Sequence, residues 1–240
     1  MRVVIGMVVA ILIAFVLSFN NFRVLSIGEM GVFLTVVGLI YGIMAAFAIS
    51  NAWERFSKIR DAVSEETNSM TTMYIYAKHM SDKFSVKKLR QKAIEYCKEV
   101  PKIDWPDYWN SEKTHQKFRD MIEIVAGMKL KGAKDVELFD DVSEELRIAS
   151  TARNMQLILS RTRLSKFQWA LNIFLSIILI IGLTFLNVPD YITAIASSML
   201  MTIAIIFILF VIYELDTLRT SDNEVSIDPW IKVAKFIEKS

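Results

Sequence analysis

The chain has 240 residues, 53% of them hydrophobic and 22% charged, so apolar and charged residues must lie in separate blocks. A net charge of +2 with no basic run offers nothing to track a phosphate backbone, which excludes a nucleic-acid partner. Cys97, the only cysteine, lacks a second thiol for a disulfide or a metal knuckle and reads as a small buried residue.

Residues 3–19 carry no charge and are long enough to cross a hydrocarbon core of ~30 Å, so they predict a first span. A signal peptide is the competing reading because Arg2 supplies a basic start. No small-x-small cleavage site follows, however, and Asn20-Asn21-Phe22-Arg23 reads as an interfacial turn. A second uncharged stretch, residues 30–51, is entered through Gly28-Glu29 and leaves into Trp53-Glu54-Arg55. With no Pro or Gly between Gly42 and Pro101, this helix is expected to continue unbroken to about Met80.

Ser81-Asp82 reads as a cap or a kink, followed by a helix whose stripe is Phe84, Leu89, Ile94, Tyr96 and Cys97. The loop 101–110 holds Trp105 and Trp109 as anchors. A helix over 111–128 with Glu112 near its start comes next, then a turn over 129–134 containing Gly132. A last polar helix runs from about Val136 straight into the third span. That span covers 167–188. The turn Asn187-Val188-Pro189-Asp190 joins it to the fourth, 191–213, bracketed by tyrosines suited to headgroup layers. After Pro229, the residues Trp230, Ile231, Ala234 and Ile237 form the apolar face of a short helix, expected to clasp a neighbouring subunit rather than lie on the membrane.

The pattern predicts an all-α integral membrane protein. Helices 1 and 2 occupy residues 1–52, a cytosolic helical domain 53–166, helices 3 and 4 residues 167–213, and a cytosolic tail 214–240. Arg55, Lys58 and Arg60 after the second span, with Arg161, Arg163 and Lys166 before the third, place 53–166 and both termini in the cytoplasm of a multi-pass cell-membrane protein. The mixed acidic and apolar stretch 135–147 needs partners on several sides, which points to a homo-oligomer.

The chain reads as no enzyme and as needing no cofactor. His79 and His115 have no ligand-like spacing, and no phosphate loop, nucleophile elbow or dinucleotide turn occurs. The acids Asp135, Glu137, Asp140, Asp141, Glu144 and Glu145 lack the calcium-loop order and read as a solvated helix face, so no metal is assigned.

The second span carries the functional signal. Glu29, Phe33, Val36, Ile40, Ile43 and Phe47 recur at three- and four-residue steps on one helix face, which Asn51 and Glu54 extend. Spacing alone favours a lipid-facing or packing stripe. An acid at one end, with an amide and an acid at the other, gives a second reading. Several copies around an axis would form an outer carboxylate ring at Glu29, an apolar neck and an inner polar ring. Gly38, Gly42, Ala45, Ala46 and Ala48 would let neighbouring helices approach.

The stretch from Phe47 to Arg55, with Asn51, Trp53, Glu54 and Arg55 and the later Arg60, resembles the bestrophin signature, most closely that of the bestrophin-like membrane proteins of microbes. Glu65-Glu66-Thr67-Asn68, Tyr96 with Trp105-Pro106, Arg161-Thr162-Arg163-Leu164 and Glu214-Leu215-Asp216 extend the likeness over most of the chain. The tail departs from it, with Thr217-Leu218-Arg219 where that group carries an Arg-Pro-Phe-x-Gly turn.

The resemblance implies a homopentameric channel passing monovalent ions, with a neck at Val36 and Ile40, Val32 or Phe33 above it and Ile43 or Met44 below. Animal members are calcium-activated anion channels, but no matching acidic clasp for calcium is present here. A ring of Glu29 would favour cations with Arg23 as its counterweight, so charge selectivity stays open. The alternative function is a non-conducting membrane scaffold or signalling protein.

Overall fold

The computed structural model describes residues 27–103, 111–186, 190–218 and 228–240, and these are all-α, without β-strands. Helix α1 spans Ile27–Ala77, α2 Lys83–Glu99, α3 Glu112–Ala126, α4 Ala133–Arg161, α5 Lys166–Phe185, α6 Tyr191–Thr217 and α7 Asp228–Lys239. A short 3₁₀ turn, Val100–Lys102, follows α2. The expected first span, residues 3–19, and the tryptophans of loop 101–110 lie outside the described residues.

Three of the helices, α1, α5 and α6, are long and apolar enough to cross a membrane. The absence of breakers after Gly42 yields the expected continuous helix, which ends at Ala77 in a turn where Lys78 N–H bonds Tyr74 O at 3.0 Å. The fourth predicted span starts at its expected residue and continues to Thr217.

The chain divides into two compact units. The first comprises residues 1–53 and 164–216. Its core brings Leu34, Val37, Tyr41, Ala45 and Ala48 of α1 against Leu175 and Leu179 of α5 and Ile205 and Ile212 of α6. Apolar packing in lipid lacks a hydrophobic driving force and depends on close fit, for which small residues make room. Gly182 of α5 is such a place. A Cβ added there would stand 2.2 Å from Leu34 Cδ2, so the missing side chain is the seat of Leu34. The Tyr41 hydroxyl lies beside Ser176 and donates to Ile205 O at 3.4 Å, satisfying a polar group in the apolar core.

The second unit comprises residues 54–163 and 217–240. Phe56, Ile59, Met70, Met73, Tyr96, Cys97, Met121, Val142 and Ala149 lie in one core with Trp230 and Ile237. Its helices start at local signals. Asp82 is the N-cap of α2, accepting from Ser85 N at 3.2 Å, which is the cap of the two readings of Ser81-Asp82. Ser111 caps α3, and Gly132, at φ 102°, takes the left-handed conformation just before α4.

Two expectations are corrected. The helix expected to run from Val136 straight into the third span instead ends at Arg161, and α5 restarts at Lys166. Ser165 and Gln168 form a capping box there: Ser165 Oγ accepts from Gln168 N at 3.1 Å, and Gln168 Oε1 from Ser165 N at 3.0 Å. Helical propensity does not stop before Thr162, but this reciprocal cap satisfies a new helix start.

The tail helix α7 seats in its own chain the apolar face that was expected to clasp a neighbouring subunit. Trp230, Val233, Ala234 and Ile237 are buried in the core of its own chain, with Ile231 at the edge of that face. Arg90 of α2 donates from Nε to Ile237 O at 3.0 Å and from Nη2 to Glu238 O at 2.8 Å, joining the last carbonyls of α7.

Candidate functional site

Helix α1 has two faces with different fates. Leu34, Val37, Tyr41, Ala45, Ala48 and Ala52 are buried within the subunit, whereas Phe33, Val36, Ile40, Ile43 and Phe47 are 45–61% exposed. The predicted neck stripe is therefore the face of α1 that the other described residues leave uncovered. Val32 and Leu39 widen it, at 67% and 65% exposed. Such a surface is stable only against lipid or another apolar surface.

The polar residues following the stripe separate. Asn51 and Trp53 are exposed. Glu54 is also exposed and pairs with Lys58 at 2.6 Å, so its hydrogen bond to that ammonium, more than its charge, holds the carboxyl below the ordinary range. Arg55 points the other way. It is buried, and its guanidinium Nη1 donates to Thr162 O at the C-terminus of α4. Of the signature residues, Arg55 thus joins helices instead of lining an open face. Glu29 lies in the first turn of α1, and its side chain is outside the described residues.

Farther along α1 the inward face carries Glu66, the most deeply buried carboxylate among the described residues. Tyr96 of α2 donates its hydroxyl to Glu66 Oε1, and Gln156 of α4 donates Nε2 to Glu66 Oε2 at 2.7 Å. Arg153 of α4 donates to the Tyr96 hydroxyl at 2.5 Å and to Thr114 Oγ1 of α3 at 3.2 Å. Its guanidinium also lies over the Tyr96 and Phe118 rings, 5.3 and 5.4 Å from their centroids. Burial pushes the Glu66 carboxyl above the ordinary carboxylate range, against the opposing Arg153 charge and the two hydrogen bonds.

The family likeness drew attention to Glu66 and Tyr96, but Arg153 and Gln156 went unnoticed. A signal was present: Val142, Leu146, Ala149, Arg153, Gln156 and Ser160 are buried at three- and four-residue steps, so two strongly polar residues occupy core positions of α4.

In the first unit, Asp216 of α6 accepts from Leu164 N at 2.8 Å and from Trp169 Nε1 at 3.2 Å. The matched Glu214-Leu215-Asp216 segment therefore anchors the start of α5. Among the described residues, no group of three His, Cys, Asp or Glu is arranged to hold a metal ion.

A family model described as Bestrophin-like domain matches residues 29–218. A crystal structure of a membrane protein shares the fold, with a TM-score of 0.75, 11% identity, and coverage of 99% of this chain and 98% of that one. No curated protein matches the sequence.

Proposed function

The chain belongs to the bestrophin-like family, and we propose that it is a passive ion channel, a homopentamer by resemblance, whose α1 helices line the ion path in the membrane. The observation that carries this reading is the uncovered stripe Phe33, Val36, Ile40, Ile43 and Phe47 on a helix whose opposite face is buried in its own subunit. Around an axis, that stripe becomes a hydrophobic constriction that gates by dewetting. Val36 and Ile40 form its neck, Glu29 its outer mouth, and Asn51 and Glu54 its inner ring. The first span, residues 3–19, completes a four-span subunit in the cell membrane. The positive residues flanking the spans hold the second unit and both termini in the cytoplasm.

The test is ion flux from liposomes containing the purified protein under a salt gradient. Protein-dependent flux supports the channel. Its absence over a range of pH and calcium overturns it. The reversal potential then assigns the charge of the permeant monovalent ion, which family resemblance sets as an anion and a Glu29 ring as a cation.

A non-conducting scaffold is the second reading, favoured by an open groove of about 350 Å³ between α3 and α4. Ile122, Val125, Phe139 and Leu146 give it an apolar lining suited to a helical partner.

A further inference from the structure

In the second unit, the stripe that Phe84 was expected to share places Leu89, Tyr96 and Cys97 in the core, whereas Phe84 itself is 69% exposed. Lys83, Lys87 and Lys88 are its helical neighbours, and Lys88 Nζ stands 4.3 Å from the ring centroid. All three lysines are exposed, and none makes an ion pair with a described residue. Two acids at this end of the unit are committed to backbone N–H groups. Asp82 accepts from Ser85 N and Lys129 N, and Asp135 from Ser81 N and Lys131 N. Phe84 is thus an apolar knob ringed by cations.

The complementary surface lies on α3 and α4. Ile122, Val125 and Ala126 with Phe139 and Leu146 line the open groove of about 350 Å³. On α4, Glu137, Asp140 and Asp141 flank Phe139; they are exposed and make no ion pair with a described residue. The next acid, Glu144, holds Arg147 of the groove lining at 2.6 Å and so offsets that cation. Elsewhere in the unit charges do find partners, as Lys92 does with Asp120 at 2.7 Å. An apolar groove edged by unpaired carboxylates complements Phe84 and its lysines in both shape and charge.

Knob and groove also stand at one level. Hydrogen bonds from Lys129 N to Asp82 Oδ2 at 3.0 Å and from Ser81 N to Asp135 Oδ1 at 3.1 Å gather the start of α2, the end of α3 and the start of α4. Phe84 lies in the first turn of α2. At 1.5 Å per residue, Ile122 is about 6 Å before the last residue of α3, and Phe139 about 9 Å after the first of α4. Copies rotated about an axis along these helices keep their levels, so a ring contact requires this match.

We propose that Phe84 of one copy of the chain seats in the α3–α4 groove of the next, with Lys83, Lys87 and Lys88 facing Glu137, Asp140 and Asp141 across the rim. The occupant is a second copy because one chain carries both halves and leaves both open. The contact is head-to-tail, with knob and groove on different helices, so it propagates from copy to copy and closes into a ring. The buried ring supplies most of the binding, while the rim charges set orientation. This assignment rests on the reading of the chain as a homo-oligomer, and it is independent of whether that oligomer conducts.

The test treats purified full-length protein in detergent with a water-soluble carbodiimide, which joins an amine to a carboxylate only where the two touch. Covalent multimers are separated on a denaturing gel, and their linked peptides are identified by mass spectrometry. Species larger than dimers are expected, joined between Lys83, Lys87 or Lys88 and Glu137, Asp140 or Asp141. Phe84→Ser is expected to raise roughly tenfold the protein concentration at which the multimers fall apart. Lys83→Glu, Lys87→Glu and Lys88→Glu together should remove those links, as should Glu137→Lys, Asp140→Lys and Asp141→Lys together. A chain carrying both reversals should regain them. All of these positions are exposed, so the variants are expected to fold.

Multimers linked only at other residues, or unmoved by Phe84→Ser and by both reversals, would overturn this contact and leave the homo-oligomer standing. Protein that is monomeric at every concentration would overturn the contact and the ring together. Liposome flux is scored separately: its absence in protein that shows the expected links would remove the channel and keep the contact.

Discussion

Arg55 and Thr162, 107 residues apart, are joined by a hydrogen bond from the buried guanidinium to the last carbonyl region of α4. A cation at a helix C-terminus meets both the unsatisfied carbonyls and the negative end of the helix dipole.

Removing Arg55 should therefore cost stability. Arg55→Met keeps apolar bulk but loses the charged donor, with an expected loss of roughly 1.5–3 kcal/mol. Arg55→Lys should recover only part of it, because an ammonium lacks the planar fork. Thermal unfolding of the detergent-solubilised protein checks both; a midpoint unchanged in Arg55→Met would remove the bond from the account.

Leu34 and Gly182 make a second testable pair. Gly182→Ala places a Cβ where Leu34 Cδ2 lies, and the resulting overpacking should cost roughly 1–3 kcal/mol. Adding Leu34→Ala should restore part of that loss, because the two sites share one contact. Comparing the unfolding midpoints of the single and double variants measures the coupling, and additive effects would argue against direct contact.

Asp82 caps α2 and reaches α3's end, accepting from Ser85 N at 3.2 Å, Ser85 Oγ at 2.8 Å and Lys129 N at 3.0 Å. The Lys129 backbone N–H first, then Ser85, hold its carboxyl down at about 2. This depressed value implies stability that is fully present above the ordinary Asp pKa and is lost as pH falls toward about 2. Asp82→Ala should lose roughly 0.5–2 kcal/mol near neutral pH, and much less in strong acid. Denaturant titrations at both pH values test this convergence.

Val36 and Ile40 test the proposed neck. Replacing either with Ser should ease wetting of the constriction and raise liposome ion flux several-fold, whereas a scaffold with no pore would show no change. Glu29→Gln should reduce any cation preference seen in the reversal potential; an unchanged value would take Glu29 out of the mechanism.

Much of the helix plan was legible because its causes are local. Hydrophobic length marks α1, α5 and α6, the lack of Gly and Pro after Gly42 keeps α1 continuous to Ala77, and Asp82 and Ser111 cap the helices that follow them. The break before α5 was missed although Ser165 and Gln168 spelled out a capping box, because flanking helical residues masked it.

Sequence by itself determined an all-helical chain of bestrophin-like type with helices long enough to span a membrane, since propensity, caps and hydrophobic length act over a few residues. Tertiary structure decided which face each helix buries. It left Phe33, Val36, Ile40, Ile43 and Phe47 uncovered by the other described residues, turned Arg55 toward Thr162, docked Trp230 in its own chain, and gathered Glu66, Tyr96, Arg153 and Gln156 from three helices. Those outcomes depend on long-range packing and on the need of every buried polar group for a partner, neither of which is encoded in the spacing of any one helix.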